Sequence, residues 1–192
     1  MILIFFDIET IQIWNIDEKI KEKYGDKINF MPEFNEIFTI CVGKIMPDGT
    51  KSIKAIKWTE EEQLLEFVNI IAWNKLCGYN ILWFDIPFII KRMLKYQITI
   101  PNILKTYWVK PREINHIDLF DVRKCGVFWW NWNLDIVCKH LWIVSPKEEW
   151  IDGSMVSKMV LDWRGDEVME YCKRDVLATI KLYNYFKEYN LI

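Results

Sequence analysis

The order of strand and helix signals predicts one domain built on a single mixed sheet, α/β or α+β in class. Strand-like segments come first and helical periods follow with further strands between them. No repeat, low-complexity tract or linker divides the 192 residues, so 1–192 reads as a single domain. With 25 Lys plus Arg against 27 Asp plus Glu, a net charge of -2 and 52% hydrophobic residues, disordered, collagenous and supercharged classes are excluded.

The elements follow in order. Ile2 to Ile8 is a continuous apolar run ending in acids, which suits a central strand buried on both faces. Ile37 to Ile45 and Ser52 to Trp58 flank the turn Pro47-Asp48-Gly49-Thr50, a hairpin signal, so the first three strands are expected to be antiparallel and sequential. Thr59-Glu60-Glu61-Glu62 is a capping box, and the apolar spacing behind it carries a helix to about Trp73. A short strand is expected near Leu76 to Tyr79. Pro87 suits the first turn of a helix starting near Asp85. His116 to Asp121 reads as a strand, Leu134 to Leu141 and Ser154 to Leu161 as short helices, and Asp166 to Tyr189 as a long one. Thr99 to Asn115 and Ser145 to Gly153 read as irregular.

The five cysteines are scattered and never form C-x-x-C, so reduced, mostly buried thiols are expected, not a disulfide framework or zinc site. The apolar run at Ile2 to Phe6 is too short for a signal h-region or a membrane span, and a cytoplasmic location is the expectation. A pI near 5.8 supplies no bulk basic field. A nucleic-acid partner would need a local basic patch or metal ions, or would bind weakly.

Certain acids stand out by context. Asp7 and Glu9 are two apart in a strand, so their carboxylates share a face and repel unless a cation lies between them. An isolated D-x-E ordinarily marks a strand reaching solvent. Asp85 stands at a helix start between Phe84 and Ile86, where its ordinary role is an N-cap. Asn80 is placed to hold the loop before it. Tyr171 and Asp175 lie four apart on one helical face with Val168, Cys172 and Thr179, while Lys173 and Arg174 point elsewhere. Taken together, Asp7, Glu9, Asp85 and Asp175 form a hypothetical all-oxygen site for two hard divalent cations.

FFDIET, GYNILWFDIPF and YCKRDVLAT, in this order, resemble the three exonuclease motifs of the DEDD superfamily of 3′–5′ exonucleases. The specific likeness is to the exonuclease domain of family B DNA polymerases and its stand-alone predicted relatives. MPEFNEIFTICVG, HIDLFDV and IDGSMV extend it over nearly the whole chain. The resemblance implies a ribonuclease H-like α/β fold with a mixed five-stranded sheet flanked by helices. It also implies the tyrosine subtype, because position 171 is Tyr and neither His116 nor His140 stands five residues before Asp175.

By that resemblance the cofactors are two Mg²⁺ or Mn²⁺ ions. Asp7 bridges them, Glu9 and Asp175 complete the site of the nucleophilic water, Asp85 supports the second metal, and Tyr171 orients the water. Thr10, Asn80 and Phe84 would contact substrate. The implied partner is a single-stranded nucleic-acid 3′ end, DNA favoured over RNA, released as nucleoside 5′-monophosphates. An exoribonuclease is the rival enzyme, and a silent nucleic-acid-binding module the rival of another class. Lys105, Lys110, Arg112, Arg123, Lys139 and Lys147 are candidates to track the strand backbone.

Eleven tryptophans against seven glycines invert the usual ratio. Several tryptophans stand where local sequence asks for glycine: the 128–133 connection, Trp142 after a helix, and Trp150 and Trp163 in polar turns. Trp83 stands where relatives of the resembled family often carry Gly. A source genome that reads UGA as glycine would produce this pattern when translated with UGA as tryptophan. A true aromatic binding surface is the other reading.

Overall fold

The computed structural model describes residues 2–13, 16–107, 109–110, 113–127, 133–144 and 153–192. Five strands form one sheet in the order β3-β2-β1-β4-β5. They are β1 (Leu3–Gln12), β2 (Asn35–Ile45), β3 (Lys51–Ile56), β4 (Lys75–Gly78) and β5 (Ile117–Asp118). β1, β2 and β3 are antiparallel neighbours, whereas β4 pairs parallel with β1 and β5 parallel with β4. This is the mixed five-stranded sheet of a ribonuclease H-like fold.

The alternation of β1 assigns its faces. Ile4, Phe6 and Ile8 join the core beneath α2 (Glu60–Ile71) and α3 (Asp85–Lys95). Phe5 joins the opposite core, against α7 (Gly165–Glu188) and α5 (Leu134–His140). Asp7 therefore faces α7, whose Cys172 Sγ lies 3.5 Å from Asp7 Oδ2. Close approach of α7 requires Gly43 on β2, where a Cβ would lie 2.7 Å from Val176 Cγ1. Gly78 ends β4 for a similar reason, since a Cβ there would overlap Ile81.

The capping box forms as expected: Thr59 Oγ1 accepts from the Glu62 amide, and Glu62 accepts from the Thr59 amide. A bulge interrupts the β1–β2 ladder, since Glu9 pairs with Thr39 and Thr10 with Ile37, leaving Phe38 as the extra residue. Side chains of α2 satisfy the groups freed there. Gln63 Nε2 donates to Phe38 O at 2.9 Å, and Ile37 N donates to Glu60 Oε1 at 2.7 Å. Glu60 also forms a buried fork with Arg92 of α3, whose Nη1 donates to Pro32 O at 2.8 Å.

Several boundaries differ from the sequence expectation. β1 continues past Ile8 to Gln12, so Asp7 and Glu9 lie within the strand and do not close it. The expected strand at His116 to Asp121 is a strand only at Ile117–Asp118 and then becomes α4 (Leu119–Lys124), because Asp118 Oδ1 caps that helix through Phe120 N. Helix α1 (Glu18–Tyr24) and the 3₁₀ turn Gly25–Phe30 are additional. The Ser154 to Leu161 segment divides into a 3₁₀ turn, Gly153–Met155, and α6 (Val156–Leu161). All five cysteines are free, and only Cys125 is exposed. Among the described residues no helix is long and apolar enough to cross a membrane.

Four of the five described tryptophans sit as glycines do. Trp58, Trp73, Trp142 and Trp163 have φ of 104°, 66°, 57° and 60°. Among all other non-glycine residues described, only Asn80, Gln97, Cys125 and Asn190 share a positive φ. Trp83 is the fifth described tryptophan and has no such φ. Trp150 and the tryptophans of the 128–133 connection lie outside the described residues.

Candidate active site

The site is assembled by three elements that converge on the middle of β1. β1 supplies Asp7 and Glu9, the first turn of α3 supplies Asp85, and the middle of α7 supplies Tyr171 and Asp175. Glu9 and Asp85 are 8% and 3% exposed, so these are buried acids and not solvated surface charges. Asp85 is not the N-cap that sequence alone suggests. Phe84 occupies the cap position, and Asp85 Oδ1 instead accepts the Ile8 amide at 3.2 Å, drawing the helix start onto the central strand.

Mutual repulsion marks how closely the acids converge. Burial holds the Asp7 carboxyl well above the ordinary carboxylate range, and Asp175, Asp85 and Glu9 each push it further. Burial likewise raises Asp85 to about 8, with Asp118 the next contributor and the Ile8 hydrogen bond opposing. Burial, reinforced by Asp175, Glu9 and Asp7, keeps the Tyr171 hydroxyl far above its usual value. Tyr171 thus stays protonated and hydrogen-bonded with Asp175. Lys173, two residues before Asp175, pairs with Glu170 at 2.6 Å.

Such a donor set suits hard cations, which prefer oxygen ligands and oppose the mutual repulsion that raises Asp7 and Asp85. Asp7, Glu9 and Cys172 each offer a ligand atom, all within 4.8 Å of one another. Cys172 is fully buried and burial pushes its thiol well above its ordinary value, so it is a neutral thiol with Sγ 3.5 Å from both Asp7 O and Asp7 Oδ2.

The candidate substrate contacts lie on the elements that carry the acids or lead into them. Thr10 follows Glu9 on β1 at the bulge. Asn80 adopts φ 67°, and its carbonyl accepts the Trp83 and Phe84 amides at 3.2 and 3.0 Å. Phe84 meets Phe30 edge-on with centroids 6.1 Å apart and Phe88 at 5.6 Å. Trp83 is largely exposed, its Nε1 donating to Asp121 Oδ2 at 3.0 Å.

The basic candidates are more dispersed. Lys139 pairs with Asp135 at 2.9 Å, Lys105 bonds Asn102 at 3.0 Å, and Arg123 bonds Tyr79. Lys110 is exposed, while Arg112 and Lys147 lie outside the described residues. His116 takes an ordinary structural role, with Nδ1 accepting from Leu76 N at 3.2 Å and Nε2 2.7 Å from Ile103 O.

Sequence reasoning passed over Asp118. It is 3% exposed and burial raises it to about 6, against three backbone amides that favour the charged form. The HIDLFDV segment contained it, but an acid whose partners are backbone N–H groups leaves no pairing signal in the sequence.

Among curated proteins no sequence matches. The fold is similar to that of the family B DNA polymerase from the hyperthermophilic archaeon Pyrobaculum calidifontis, with a TM-score of 0.65 and 16% identity. That alignment covers 98% of this chain and 25% of the polymerase, so this chain spans about a quarter of that protein's length. The RNase_H superfamily profile RNase_H_2 matches residues 28–187, from the 3₁₀ turn before β2 to the end of α7. With that span matched, the chain belongs to the RNase_H superfamily.

Proposed function

We propose that the protein is a metal-dependent 3′–5′ exonuclease of the tyrosine subtype, hydrolysing single-stranded DNA 3′ ends to nucleoside 5′-monophosphates. The observation that carries this reading is the convergence of four acids from β1, α3 and α7, with the protonated Tyr171 hydroxyl beside Asp175. Two Mg²⁺ or Mn²⁺ ions would supply Lewis-acid stabilisation of the scissile phosphate and activation of water.

The residues divide the work. Asp7 is central, since every other acid of the group acts on it. Glu9 and Asp175 lie on the Tyr171 side, where the hydroxyl can donate to or orient an attacking water. Asp85 reaches the group from the start of α3, bonded to the Ile8 amide of β1. Thr10 and Phe84 adjoin Glu9 and Asp85 in the chain, Asn80 begins the turn that leads to Asp85, and the partly exposed Phe84 ring suits stacking on a base. No protein nucleophile is required.

The test is release of mononucleotides from a labelled single-stranded DNA oligomer with Mg²⁺ or Mn²⁺, beside the matched RNA oligomer. Hydrolysis from the 3′ end, lost in EDTA and in Asp7→Ala and Asp175→Ala, is expected. Activity that survives chelation or either substitution would sink the two-metal reading, and preferential RNA hydrolysis would reassign the substrate.

A further inference from the structure

One carboxylate organises the turn that delivers Asp85. Asp118 ends β5, where its Oδ1 accepts the Asn80 amide at 2.7 Å and the Phe120 amide at 3.0 Å, and its Oδ2 accepts the Leu82 amide at 2.9 Å. No Lys or Arg forms an ion pair with it among the described residues. A buried acid held by three backbone amides is a fixed anchor. Two of the three amides belong to the Asn80–Phe84 turn, which then feeds Asp85; Ile81 O accepts the Ile86 amide at 2.9 Å within the same turn. The left-handed Asn80 makes this turn conformationally expensive, and the Asp118 bonds fasten it.

We propose that Asp118 is a positioning residue for Asp85, setting the height of that carboxylate against Asp7 through the Asn80–Phe84 turn. This rests on the proposed nuclease function. Asp118→Asn keeps one oxygen for Asn80 and Phe120 but sets an NH₂ against the Leu82 amide, donor against donor.

The test combines Mn²⁺ binding by electron paramagnetic resonance without nucleic acid, oligomer hydrolysis, and far-UV circular dichroism, on wild type, Asp118→Asn, Asp85→Asn and the double variant. We expect a folded Asp118→Asn with the weaker Mn²⁺ site loosened about tenfold or more and kcat lowered at unchanged KM. Adding Asp118→Asn to Asp85→Asn should cost metal affinity nothing further. Wild-type binding in Asp118→Asn, or additive losses in the double variant, would overturn the positioning role. A wild type that hydrolyses nothing would overturn the nuclease reading and this one with it, whereas an active wild type with an unaffected Asp118→Asn overturns this one alone.

An independent observation concerns the tryptophans. Trp142 and Trp163 each stand one residue past a helix C-cap inside a complete Schellman motif. Ile143 N donates to Cys138 O and Trp142 N to Lys139 O; Arg164 N donates to Met159 O and Trp163 N to Val160 O. That position favours glycine because a Cβ is strained there. Trp73 follows the C-cap of α2, and Trp58 has φ 104°, beyond the small left-handed region open to side chains. All four indoles are exposed, from 75% at Trp58 to 97% at Trp163, so packing does not compensate the strain.

We infer that positions 58, 73, 142 and 163 are glycine in the protein as its source makes it, encoded by UGA. Reading the codons and sequencing peptides from source cells decides this: UGA and glycine are expected, and UGG or tryptophan overturns it. In the recombinant chain, replacing the four by glycine should raise the melting temperature by roughly 10 °C, well beyond replacement by alanine. Equal effects of glycine and alanine would also overturn it, because left-handed strain would then be absent.

Discussion

Asp85 Oδ1 accepts the amide of Ile8 at 3.2 Å across 77 residues of sequence. This bond joins the first turn of α3 to the strand that carries Asp7 and Glu9, and it commits the Asp85 side chain to the sheet and away from capping its own helix. The same carboxylate thus serves both tertiary structure and the proposed metal site.

Those two roles separate on substitution. Asp85→Asn retains an oxygen for Ile8 and removes a charge from a crowded acidic group. Metal-free stability should stay within about 1 kcal/mol of wild type or rise, while hydrolysis falls on the order of 10³-fold. Urea melts in EDTA beside mononucleotide release test this, and a stability loss above about 2 kcal/mol would contradict it.

The pH dependence of the metal-free protein has a definite sign. Asp85 is raised from 3.8 to about 8, so the folded state holds more protons than the unfolded state between these values. Its contribution to stability is complete below about pH 4 and is lost as pH rises through about 8. Asp7 acts in the same direction. Thermal melts in EDTA should therefore weaken from pH 5 to pH 8, and Mg²⁺ or Mn²⁺ should restore stability most strongly at the alkaline end.

Tyr171→Phe isolates the hydroxyl. The ring remains to fill its buried place, and the acids keep their positions. A fall of about 10²-fold in kcat is expected, with Mn²⁺ affinity near that of wild type. Equal loss of both would point to a ligand-positioning role for the hydroxyl.

The Glu60–Arg92 fork offers a control outside the acidic group itself. Both side chains are buried, and Glu60 also accepts from Ile37 N and Tyr96 Oη. Glu60→Ala should destabilise by about 3–5 kcal/mol by stranding a buried guanidinium. Measured by urea denaturation, this should leave the metal affinity of the remaining folded protein unchanged.

The sequence made visible what periodicity and capping encode. The hairpin, the Thr59 box and the α7 face holding Val168, Tyr171 and Cys172 follow from local spacing. Helix α4 was masked because His-Ile-Asp-Leu-Phe alternates like a strand, while the decisive Asp118–Phe120 cap is a single bond. Helix α1 was masked by its charge, since Glu18–Tyr24 has no buried residue to mark a face. Asp85 was legible as an important acid but not as the partner of Ile8, because a side chain bound to a distant amide leaves no spacing to read. Trp142 announced itself by following a helix and Trp163 by standing in a polar turn, whereas the strain at Trp58 and Trp73 emerges only from backbone angles.

The bulge at Phe38 also bears on how this domain tolerates change in length. Side-chain direction along a strand flips with every residue gained or lost, so an insertion in a regular ladder would turn Asp7 or Glu9 to the wrong side. Here the register is already broken immediately after Glu9, and the displaced groups are held by Gln63 and Glu60. The facing of the two carboxylates accordingly does not depend on the register that β1 and β2 keep from Thr10 onward. The bulge thus uncouples the pairing of the carboxylate-bearing inner half of β1 from that of its outer half.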